Sequence, residues 1–308
     1  MDKNCLVSAI ITTHKREPII IERAIKSILN QTYKNLEIIV VDDSPNSYDL
    51  RESVKLLVES YADYGVKYIQ HDTCQGACVA RNTGLFHANG EYIGYLDDDD
   101  EWLPEKIEKQ LQCFTNDDIA LVYCGRETFD EANNYIKTST TLFLKDDVFN
   151  FLIRKNFIGS TSFPLIRRKH LLEINGFDPQ MQSAQDYDVW LRLARNHKIN
   201  YCEDVLVRYY IHEGEQISKN PQKVISGLER LVSKNYDYIK SSNIAYWFRW
   251  REIIPFYVRN GQTLRAIKIW LKCCFKCIWK VKSNFIMGYL ILRFYFARKK
   301  IKRKNQVL

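Results

Sequence analysis

The C-terminal part of this sequence lacks acidic residues altogether. Residues 253–308 contain 14 lysines and arginines and no aspartate or glutamate. Because the whole chain has a net charge of +8, subtracting these 14 positive charges leaves −6 for residues 1–252. An acidic body argues against a nucleic-acid-binding surface, since such surfaces are basic. We therefore expect no nucleic-acid partner. The basic charge lies in the C-terminal segment, so the question becomes what that segment contacts.

The sequence also lacks the marks of an exported or membrane-spanning protein. Its N-terminus has no basic segment followed by an apolar stretch and a cleavage site. Its nine cysteines are odd in number and irregularly spaced, which does not fit a disulfide framework. Phe285–Ala297 is mostly apolar but contains Arg293 and falls short of the roughly 20 residues that span a bilayer. We expect a cytoplasmic location, peripheral on the inner face of the cell membrane.

A glycine is missing from the turn after the first apolar run. That turn, THKREP at residues 13–18, resembles neither the glycine-rich dinucleotide fingerprint nor the P-loop. If the protein binds a phosphate group, it holds the phosphate in another way. A bound metal ion is one such way.

Five apolar runs of strand length alternate with amphipathic helical patterns over about 125 residues. Gly65 is expected to end the second helix, and the third ends near Gly90. This alternation predicts an α/β fold with a doubly wound, mostly parallel sheet. The predicted strands are Leu6–Thr12, Leu36–Val41, Val66–Gln70, Tyr92–Leu96 and Ile119–Cys124.

Polar residues follow three of these strands, at the edge of a parallel sheet where ligands bind. Four consecutive aspartates come directly after Tyr92–Leu96. If the backbone stays extended there, Asp97 and Asp99 share one face of the strand and Asp98 and Asp100 take the other. Carboxylates this close favour a bound Mg²⁺ or Mn²⁺, although a solvated acidic loop is the alternative. The polar groups are Thr12, Thr13 and His14, then Asp42 and Asp43, and then Asp97–Asp100.

Several segments in this order resemble glycosyltransferases of family 2, which have the GT-A fold. The resemblance covers roughly residues 5–215 and implies a nucleotide-sugar-binding half at 1–125 and an acceptor and catalytic half at 126–215. Residues 216–308 are then a helical, basic C-terminal extension. The segments are VSAIITTHKRE, QTYKNLEIIVVDDS, GACVARNTGL, EYIGYLDDDDEWLPEKIEKQ and GFDPQMQSAQDYDVWLRL.

The resemblance implies a role for each residue of the donor site. Asp43 would accept a hydrogen bond from a uracil base, and Arg81 would lie near the donor phosphates. Asp97 and Asp99 match the family's DxD pattern, which binds the metal and the diphosphate. Asp43 also suits an ordinary turn and Arg81 an ordinary helix surface, so both alternatives stay open. The donor-binding set is Thr12, His14 (where the family usually has tyrosine), Asp43, Arg81, Asp97 and Asp98, and the metal set is Asp97, Asp99 and His212.

Asp186 matches the catalytic base of the family. A base of this kind deprotonates the acceptor hydroxyl that attacks the anomeric carbon, and in-line attack inverts its configuration. The alternative is a helix cap, because Ser183 and Asp186 have the spacing of a capping box. Gln185 stands where the family commonly has glutamate, and Asp188 is the second choice for the base.

A basic amphipathic helix is predicted within the C-terminal extension. Such helices lie on anionic membranes, and the alternative is a helical subdomain with a solvated lysine face. Cys274 and Cys277 lack a second pair of zinc ligands and are expected to pack as small apolar residues. The apolar stripe is Leu264, Ile267, Trp270, Leu271, Cys274, Ile278 and Val281, and the lysines are Lys268, Lys272, Lys276 and Lys280.

These features together predict an inverting, metal-dependent glycosyltransferase. It would move a sugar from a nucleotide-sugar, most simply a UDP-sugar, to a hydroxyl of a lipid-linked or growing saccharide, with Mn²⁺ or Mg²⁺ as cofactor. One alternative is a metal-dependent nucleotidyltransferase, although the first turn lacks the glycine-rich loop expected of one. Another is a non-catalytic, membrane-associated adaptor that uses the basic tail.

Overall fold

The computed structural model describes residues 5–130, 132–141, 147–211, 220–277, 286–289 and 291. The strands are β1 (Val7–Thr13), β2 (Leu36–Asp42), β3 (Val66–Gln70), β4 (Tyr92–Asp97), β5 (Glu101–Trp102), β6 (Ile119–Asp130), β7 (Tyr135–Ser139), β8 (Leu165–Arg167) and β9 (Lys198–Ile211). The helices are α1 (Pro18–Leu29), α2 (Arg51–Glu59), α3 (Ala77–His87), α4 (Lys106–Gln112), α5 (Val148–Leu152), α6 (Arg168–Glu173), α7 (Gln185–Asn196), α8 (Pro221–Lys234), α9 (Tyr236–Ser241), α10 (Asn243–Arg259) and α11 (Thr263–Lys276).

The strands form one mixed, mostly parallel sheet in the order β3-β2-β1-β4-β8-β6-β9-β5, with β7 paired to β6. The strands β1 to β4 run parallel to one another, while β8 is antiparallel to both of its neighbours, β4 and β6. All five predicted strands are present, and the predicted α/β class is confirmed. The mixed half, from β8 to β5, was not predicted.

Complete burial of the central strands explains why the sequence shows apolar runs there rather than alternation. Five consecutive residues of β1, Val7 to Ile11, are fully buried, as expected for a strand covered on both faces. Gly84 of α3 lies so close to β1 that a Cβ atom there would be 2.4 Å from Ile10 Cγ2. The missing side chain therefore lets α3 approach the sheet.

The sequence predicted that Gly65 ends the second helix, and the structure shows that it does not. That helix, α2, ends at Glu59, and a separate 3₁₀ turn follows at Ala62–Tyr64. Gly65 caps this turn in the left-handed conformation, with φ of 78°. The prediction was wrong because helix periodicity cannot distinguish the last turn of an α-helix from a short 3₁₀ turn.

The chain divides into two compact units. One comprises Met1–Val148, Phe157–Pro179 and Asp186–Gly214 and contains the sheet. The other comprises Phe149–Asn156, Gln180–Gln185 and Glu215–Leu308 and is helical in its described part.

Within the described residues, no helix combines the length and the apolar character needed to cross a bilayer. The structure gives no description of Ile278, Val281 and Lys280 of the predicted amphipathic pattern. Most of Phe285–Ala297 and the basic residues 298–308 also lie outside the described part of the chain.

Candidate active site

The acidic run does not continue β4 as an extended strand. The strand ends at Asp97, and the backbone N–H of Asp100 donates to the carbonyl of Asp97 at 3.0 Å, which makes a turn. After this turn Asp98 and Asp99 share one partner. Arg16 donates to a carboxylate oxygen of each at 2.9 Å. The predicted alternation of faces depended on an extended backbone, and that condition is not met beyond Asp97. Burial nevertheless alternates, because Asp98 and Asp100 are buried whereas Asp97 and Asp99 are partly exposed.

Asp97 is held by a cation and two hydroxyl groups. Arg81 donates to Oδ1 at 3.0 Å, Thr161 donates to Oδ1 at 2.9 Å, and Ser160 donates to Oδ2 at 2.8 Å. Burial alone would raise the pKa of Asp97, but Arg81 and these hydrogen bonds hold the pKa below its usual value. Asp97 therefore carries a negative charge at neutral pH.

Two further carboxyl groups of the acidic run, those of Asp98 and Asp100, have raised pKa values. Burial raises the pKa of Asp98 to about 6, with Arg16 opposing this shift and the charge of Asp99 adding to it. Burial and the charges of Asp99 and Asp97 raise the pKa of Asp100 well above its usual value. Carboxylates that repel one another in this way suit a hard divalent cation, because the cation offsets the charge and accepts oxygen ligands. The acidic run thus has the donor chemistry that suits Mg²⁺ or Mn²⁺, with Arg16 and Arg81 paired to the carboxylates of Asp97, Asp98 and Asp99.

Asp43 is buried at the end of β2, where four donors of the chain orient its carboxylate. The backbone N–H groups of Gln75 and Gly76 donate at 2.7 Å, His71 Nδ1 lies at 2.7 Å, and the Cys74 thiol lies at 3.4 Å. Burial would raise the pKa of Asp43, but these hydrogen bonds keep the pKa below its usual value.

His14 lies beside Asp43, as the sequence predicted for two residues that follow neighbouring strands. The Nδ1 atom of the exposed His14 ring donates to the backbone carbonyl of Asp43 at 2.9 Å. One ligand atom from each of His14, Asp43 and Cys74 lies within 4.8 Å of the others. Burial and the nearby Asp43 raise the pKa of the Cys74 thiol, however, which disfavours the thiolate that a metal requires.

Thr12 connects the first strand to the acidic run. In the parallel pairing of the strands it stands opposite Val41 of β2 on one side and Asp97 of β4 on the other. Thr12, Asp43 and Asp97 therefore come to the same edge of the sheet, as predicted from the ends of parallel strands.

Asp186 stands in the first turn of α7 and interacts electrostatically with Arg81 and Asp97. Burial raises the pKa of Asp186 to about 6; Arg81 lowers the pKa and Asp97 raises it. A carboxylate with a pKa close to neutral is suited to act as a general base. The helix begins at Gln185, so Ser183 lies two residues before the helix rather than next to it.

Asp188, the second choice for the base, lies inside the protein and supports the fold. Its side chain is 1% exposed and accepts a hydrogen bond from Arg192 Nε at 2.8 Å. The same guanidinium donates to the carbonyls of Ile174 and Gly176. Asp188 therefore orients Arg192, whose hydrogen bonds stabilise the segment after α6.

The sequence interpretation missed several residues of the site, and His212 lies outside the described residues. Arg16 was quoted only within the glycine-free turn, although it is the cation that meets Asp98 and Asp99. The hydroxyls of Ser160, Thr161 and Ser162 reach back more than 60 residues to the acidic run. The run of small hydroxyl residues in GSTSFP, residues 159–164, was a signal that could have found them.

Curated relatives of this chain are glycosyltransferases by name. The "Putative colanic acid biosynthesis glycosyl transferase WcaA" of Escherichia coli K12 is 32% identical over 291 residues, 86% of this chain and 98% of the relative. The "UDP-Glc:alpha-D-GlcNAc-diphosphoundecaprenol beta-1,3-glucosyltransferase WfgD" of Escherichia coli is 29% identical over 220 residues, 71% of this chain and 81% of the relative.

Two solved structures share the fold. Staphylococcus aureus TarS 1-349 in complex with UDP-GlcNAc is 18% identical with a TM-score of 0.59, over 83% of this chain and 72% of TarS. The mannosyltransferase PcManGT from Pyrobaculum calidifontis, in complex with GDP-Man and Mn²⁺, is 20% identical with a TM-score of 0.56, over 92% of this chain and 84% of PcManGT.

The family comparison covers the part of the chain that carries the acidic run and Asp43. A profile of the family described as "Glycosyl transferase family 2" matches residues 8–174. This match spans more than half of the 308 residues, and it agrees with the names of the relatives and with the fold. The protein is a glycosyltransferase enzyme and belongs to glycosyl transferase family 2.

Proposed function

We propose that this glycosyltransferase is an inverting, metal-dependent enzyme that uses a UDP-sugar as donor and a lipid-linked or growing saccharide as acceptor. The observation that carries the proposal is the interaction of Asp186 with the Arg81–Asp97 ion pair. A base with a raised pKa thus stands beside charged groups suited to a nucleotide-sugar. Asp186 removes the proton of the acceptor hydroxyl as that oxygen attacks the anomeric carbon.

The nucleotide-sugar donor is proposed to lie between Asp43 and Asp97, with Thr12 and His14 beside its uracil base. Of the four donors on the Asp43 carboxylate, the Cys74 thiol is the longest, at 3.4 Å. A uracil N–H would replace this weak contact and leave the shorter ones in place. WfgD is named for UDP-Glc and TarS was solved with UDP-GlcNAc, which supports a UDP-sugar here.

The cation is proposed to be Mn²⁺ or Mg²⁺, held by Asp97 and Asp99, with His212 as a further predicted ligand outside the described residues. When bound, the ion neutralises negative charge that develops on the departing nucleoside diphosphate. Arg16 and Arg81 supply positive charge at the same carboxylates, and Asp98 adds a further oxygen near the donor. The Mn²⁺ bound by PcManGT supports this assignment.

The acceptor and the membrane contact are proposed from the relatives and from α11. WfgD is named for a diphosphoundecaprenol acceptor, and WcaA for colanic acid biosynthesis. In α11 the apolar side chains of Leu264, Leu271 and Phe275 are exposed, and Lys268 is exposed on the same face. Such a face suits an anionic membrane surface, which would keep the enzyme peripheral on the cytoplasmic side.

Donor turnover by the full-length protein tests these assignments. A panel of UDP-, GDP- and dTDP-sugars is offered with Mn²⁺, with Mg²⁺ or with EDTA, to wild type, Asp99→Ala and Asp186→Asn. We expect one UDP-sugar to turn over with a metal only. We expect Asp99→Ala to lose donor binding and Asp186→Asn to bind the donor without transferring the sugar.

The alternatives give different results. A nucleotidyltransferase would release pyrophosphate from a nucleoside triphosphate and would leave the sugar donors unused. A non-catalytic adaptor would bind no nucleoside diphosphate with any metal. Equal transfer by wild type and Asp186→Asn would contradict the role of Asp186 as the base. The donor assignment would then be judged separately, from whether Asp99→Ala loses donor binding.

A further inference from the structure

Two histidines and a glutamate meet on the surface of the sheet-containing unit. His170 and Glu173 belong to α6, and His197 lies between α7 and β9. Glu173 Oε2 is 3.0 Å from His170 Nδ1 and 2.9 Å from His197 Nε2. One ligand atom from each of the three side chains lies within 4.8 Å of the other two.

This cluster lies at the opposite edge of the sheet from the acidic run. His170 and His197 accompany the beginnings of β6 and β9, where Lys198 N–H donates to the carbonyl of Asp118 at 3.0 Å. Because β8 is antiparallel to both β4 and β6, those two strands run in the same direction. The acidic run follows the carboxyl end of β4, so the cluster is separate from the candidate active site.

The protons of His170 cannot satisfy all of its neighbours in the neutral state. Its Nε2 lies 3.0 Å from the backbone carbonyl of Asp117 and must donate, because a carbonyl only accepts. A neutral imidazole has one N–H, so the Nδ1 lone pair then faces the Glu173 carboxylate at 3.0 Å. Two acceptors at that distance repel unless a proton or another cation lies between them.

His197 turns a ring nitrogen toward the same carboxylate oxygen. Its Nε2 lies 2.9 Å from Glu173 Oε2, and its Nδ1 lies 3.7 Å from a carboxylate oxygen of Asp118, beyond hydrogen-bond distance. The two imidazole rings pack with their centroids 3.8 Å apart. A divalent cation bound to His170 Nδ1, His197 Nε2 and Glu173 Oε2 would satisfy all three atoms with both rings neutral.

We propose that His170, Glu173 and His197 form a transition-metal site, with Zn²⁺ as the best match. Two imidazole nitrogens and one carboxylate oxygen are an ordinary zinc donor set. The Asp117 carbonyl accepts a hydrogen bond from the remaining ring nitrogen of His170 at 3.0 Å, a contact of the kind that orients a zinc-bound histidine. The Asp118 carboxylate lies on the corresponding side of His197, at 3.7 Å from Nδ1. Glu173 is half exposed, so the ion can enter from solvent and retain water as a fourth ligand.

Zinc in this position would have a structural effect. It would join α6 to the junction of α7 and β9, two segments about 25 residues apart in the chain. A ring nitrogen binds a metal ion only through an unprotonated lone pair, so the ion and a proton compete for the same nitrogen. This site does not depend on the proposed donor, acceptor or catalytic base.

Metal titration of the full-length protein tests the site. The protein is stripped with EDTA and titrated with Zn²⁺ in the presence of a chromophoric chelator, and separately with Co²⁺, whose visible spectrum reports tetrahedral nitrogen and oxygen ligands. The variants are Glu173→Gln and His197→Gln, which keep side-chain volume. The controls are His87→Gln, an exposed histidine of α3, and Asp99→Asn in the acidic run.

We expect a Zn²⁺ equivalent whose affinity falls by at least about tenfold in Glu173→Gln and His197→Gln and is unchanged in His87→Gln and in Asp99→Asn. Any second equivalent that Asp99→Asn removes belongs to the acidic run. Zn²⁺ should also raise the thermal midpoint of wild type and not that of Glu173→Gln. Circular dichroism of each variant shows that it is folded. The proposal is overturned if no Zn²⁺ binds, or if both cluster variants bind Zn²⁺ and give Co²⁺ spectra as wild type does. The three side chains then form only a hydrogen-bonded cluster.

Discussion

Arg81 donates a hydrogen bond to Asp97 Oδ1 at 3.0 Å, and the resulting ion pair acts on a third charged group. Burial raises the pKa of Asp186, the positive charge of Arg81 lowers it, and the negative charge of Asp97 raises it again. The outcome is a pKa of about 6. Burial thus has the largest effect on the strength of the proposed base, and the ion pair that would bind the donor adjusts it.

The rate of sugar transfer should depend on the protonation of Asp186. A base acts only when deprotonated, so we expect kcat to be low below pH 6 and to rise to a plateau above it. Asp186→Asn should lower kcat by roughly 10²–10⁴-fold, with donor affinity retained. The measurement is kcat from pH 4.5 to 8 together with donor binding by calorimetry. A variant with wild-type kcat would exclude Asp186 as the base.

Removing the charge of Arg81 should move this pH profile. Because Arg81 lowers the pKa of Asp186, we expect Arg81→Gln to shift the acidic limb of kcat to higher pH. The measurement is the same profile at saturating donor concentration, so that weaker donor binding does not affect the rate. Arg195→Gln, which removes a positive charge from the exposed far end of α7, is the matched control. A limb that stays in place, or moves to lower pH, would contradict the electrostatic link.

The strands and the edge at which the site forms could be predicted because their signals are local. Val7–Thr13 and Tyr92–Asp97 are continuous apolar runs that end in polar residues, and parallel strands bring such ends together. The resemblance to a family then predicted a catalytic role for Asp186, for which the helix start alone favoured a cap. The confirmed family and fold therefore depended on sequence features that lie within single elements.

The partners of the acidic run could not be predicted in the same way. Arg16 meets Asp99 across 83 residues of sequence, and Ser160 meets Asp97 across 63. Neither pair has a periodicity or spacing that marks it. The turn after Asp97 also brings Asp98 and Asp99 to Arg16, a contact that strand preference does not predict. Long-range ion pairs of this kind are visible only in the folded chain.

Asp98 should lower stability at neutral pH in the metal-free protein. Burial raises its pKa to about 6, so the folded protein binds this proton more tightly than the unfolded chain, and the contribution of Asp98 falls as the pH rises from about 4 through 6. We expect Asp98→Asn to increase the free energy of unfolding at pH 7 by on the order of 2 kcal/mol and to change it little at pH 4. Urea denaturation in EDTA at both pH values is the measurement.

The control for Asp98 is Asp72→Asn, which removes one negative charge from an exposed position. We expect this substitution to leave the free energy of unfolding unchanged at both pH values. If Asp98→Asn is less stable than wild type at pH 7, the ion pair with Arg16 outweighs the cost of burial, and the direction inferred for Asp98 is wrong.

Substitutions of Asp188 and Asp186 should have different effects, on stability and on catalysis respectively, although only Tyr187 lies between the two residues. Asp188→Asn removes the counter-charge of Arg192, which is 19% exposed. Breaking a fully buried pair costs about 3–5 kcal/mol, which is an upper bound for this one. We expect a large loss of unfolding free energy for Asp188→Asn and a small one for Asp186→Asn. Denaturation of both variants, beside their kcat at a temperature where both are folded, is the measurement. Near-wild-type stability for Asp188→Asn together with lost kcat would exchange the two roles.

Gly84 should be required for the approach of α3 to β1. A Cβ atom at this position would lie 2.4 Å from Cγ2 of the fully buried Ile10. Alanine favours a helix over glycine by about 1 kcal/mol, whereas overpacking a core costs about 1–3 kcal/mol. We expect the clash to win in Gly84→Ala, giving a net loss of unfolding free energy and reduced donor affinity, because the same helix carries Arg81.

A double-mutant cycle separates the clash at Gly84 from a general effect on the helix. Ile10→Ala removes Cγ2 and costs stability alone, but it should make room for the methyl group of Gly84→Ala. The two substitutions together should therefore cost less than the sum of the single ones. Phe86→Ala, at an exposed position of the same helix, is the control and should have little effect. If the two losses of unfolding free energy simply add, contact with Ile10 does not set the distance of α3 from the sheet.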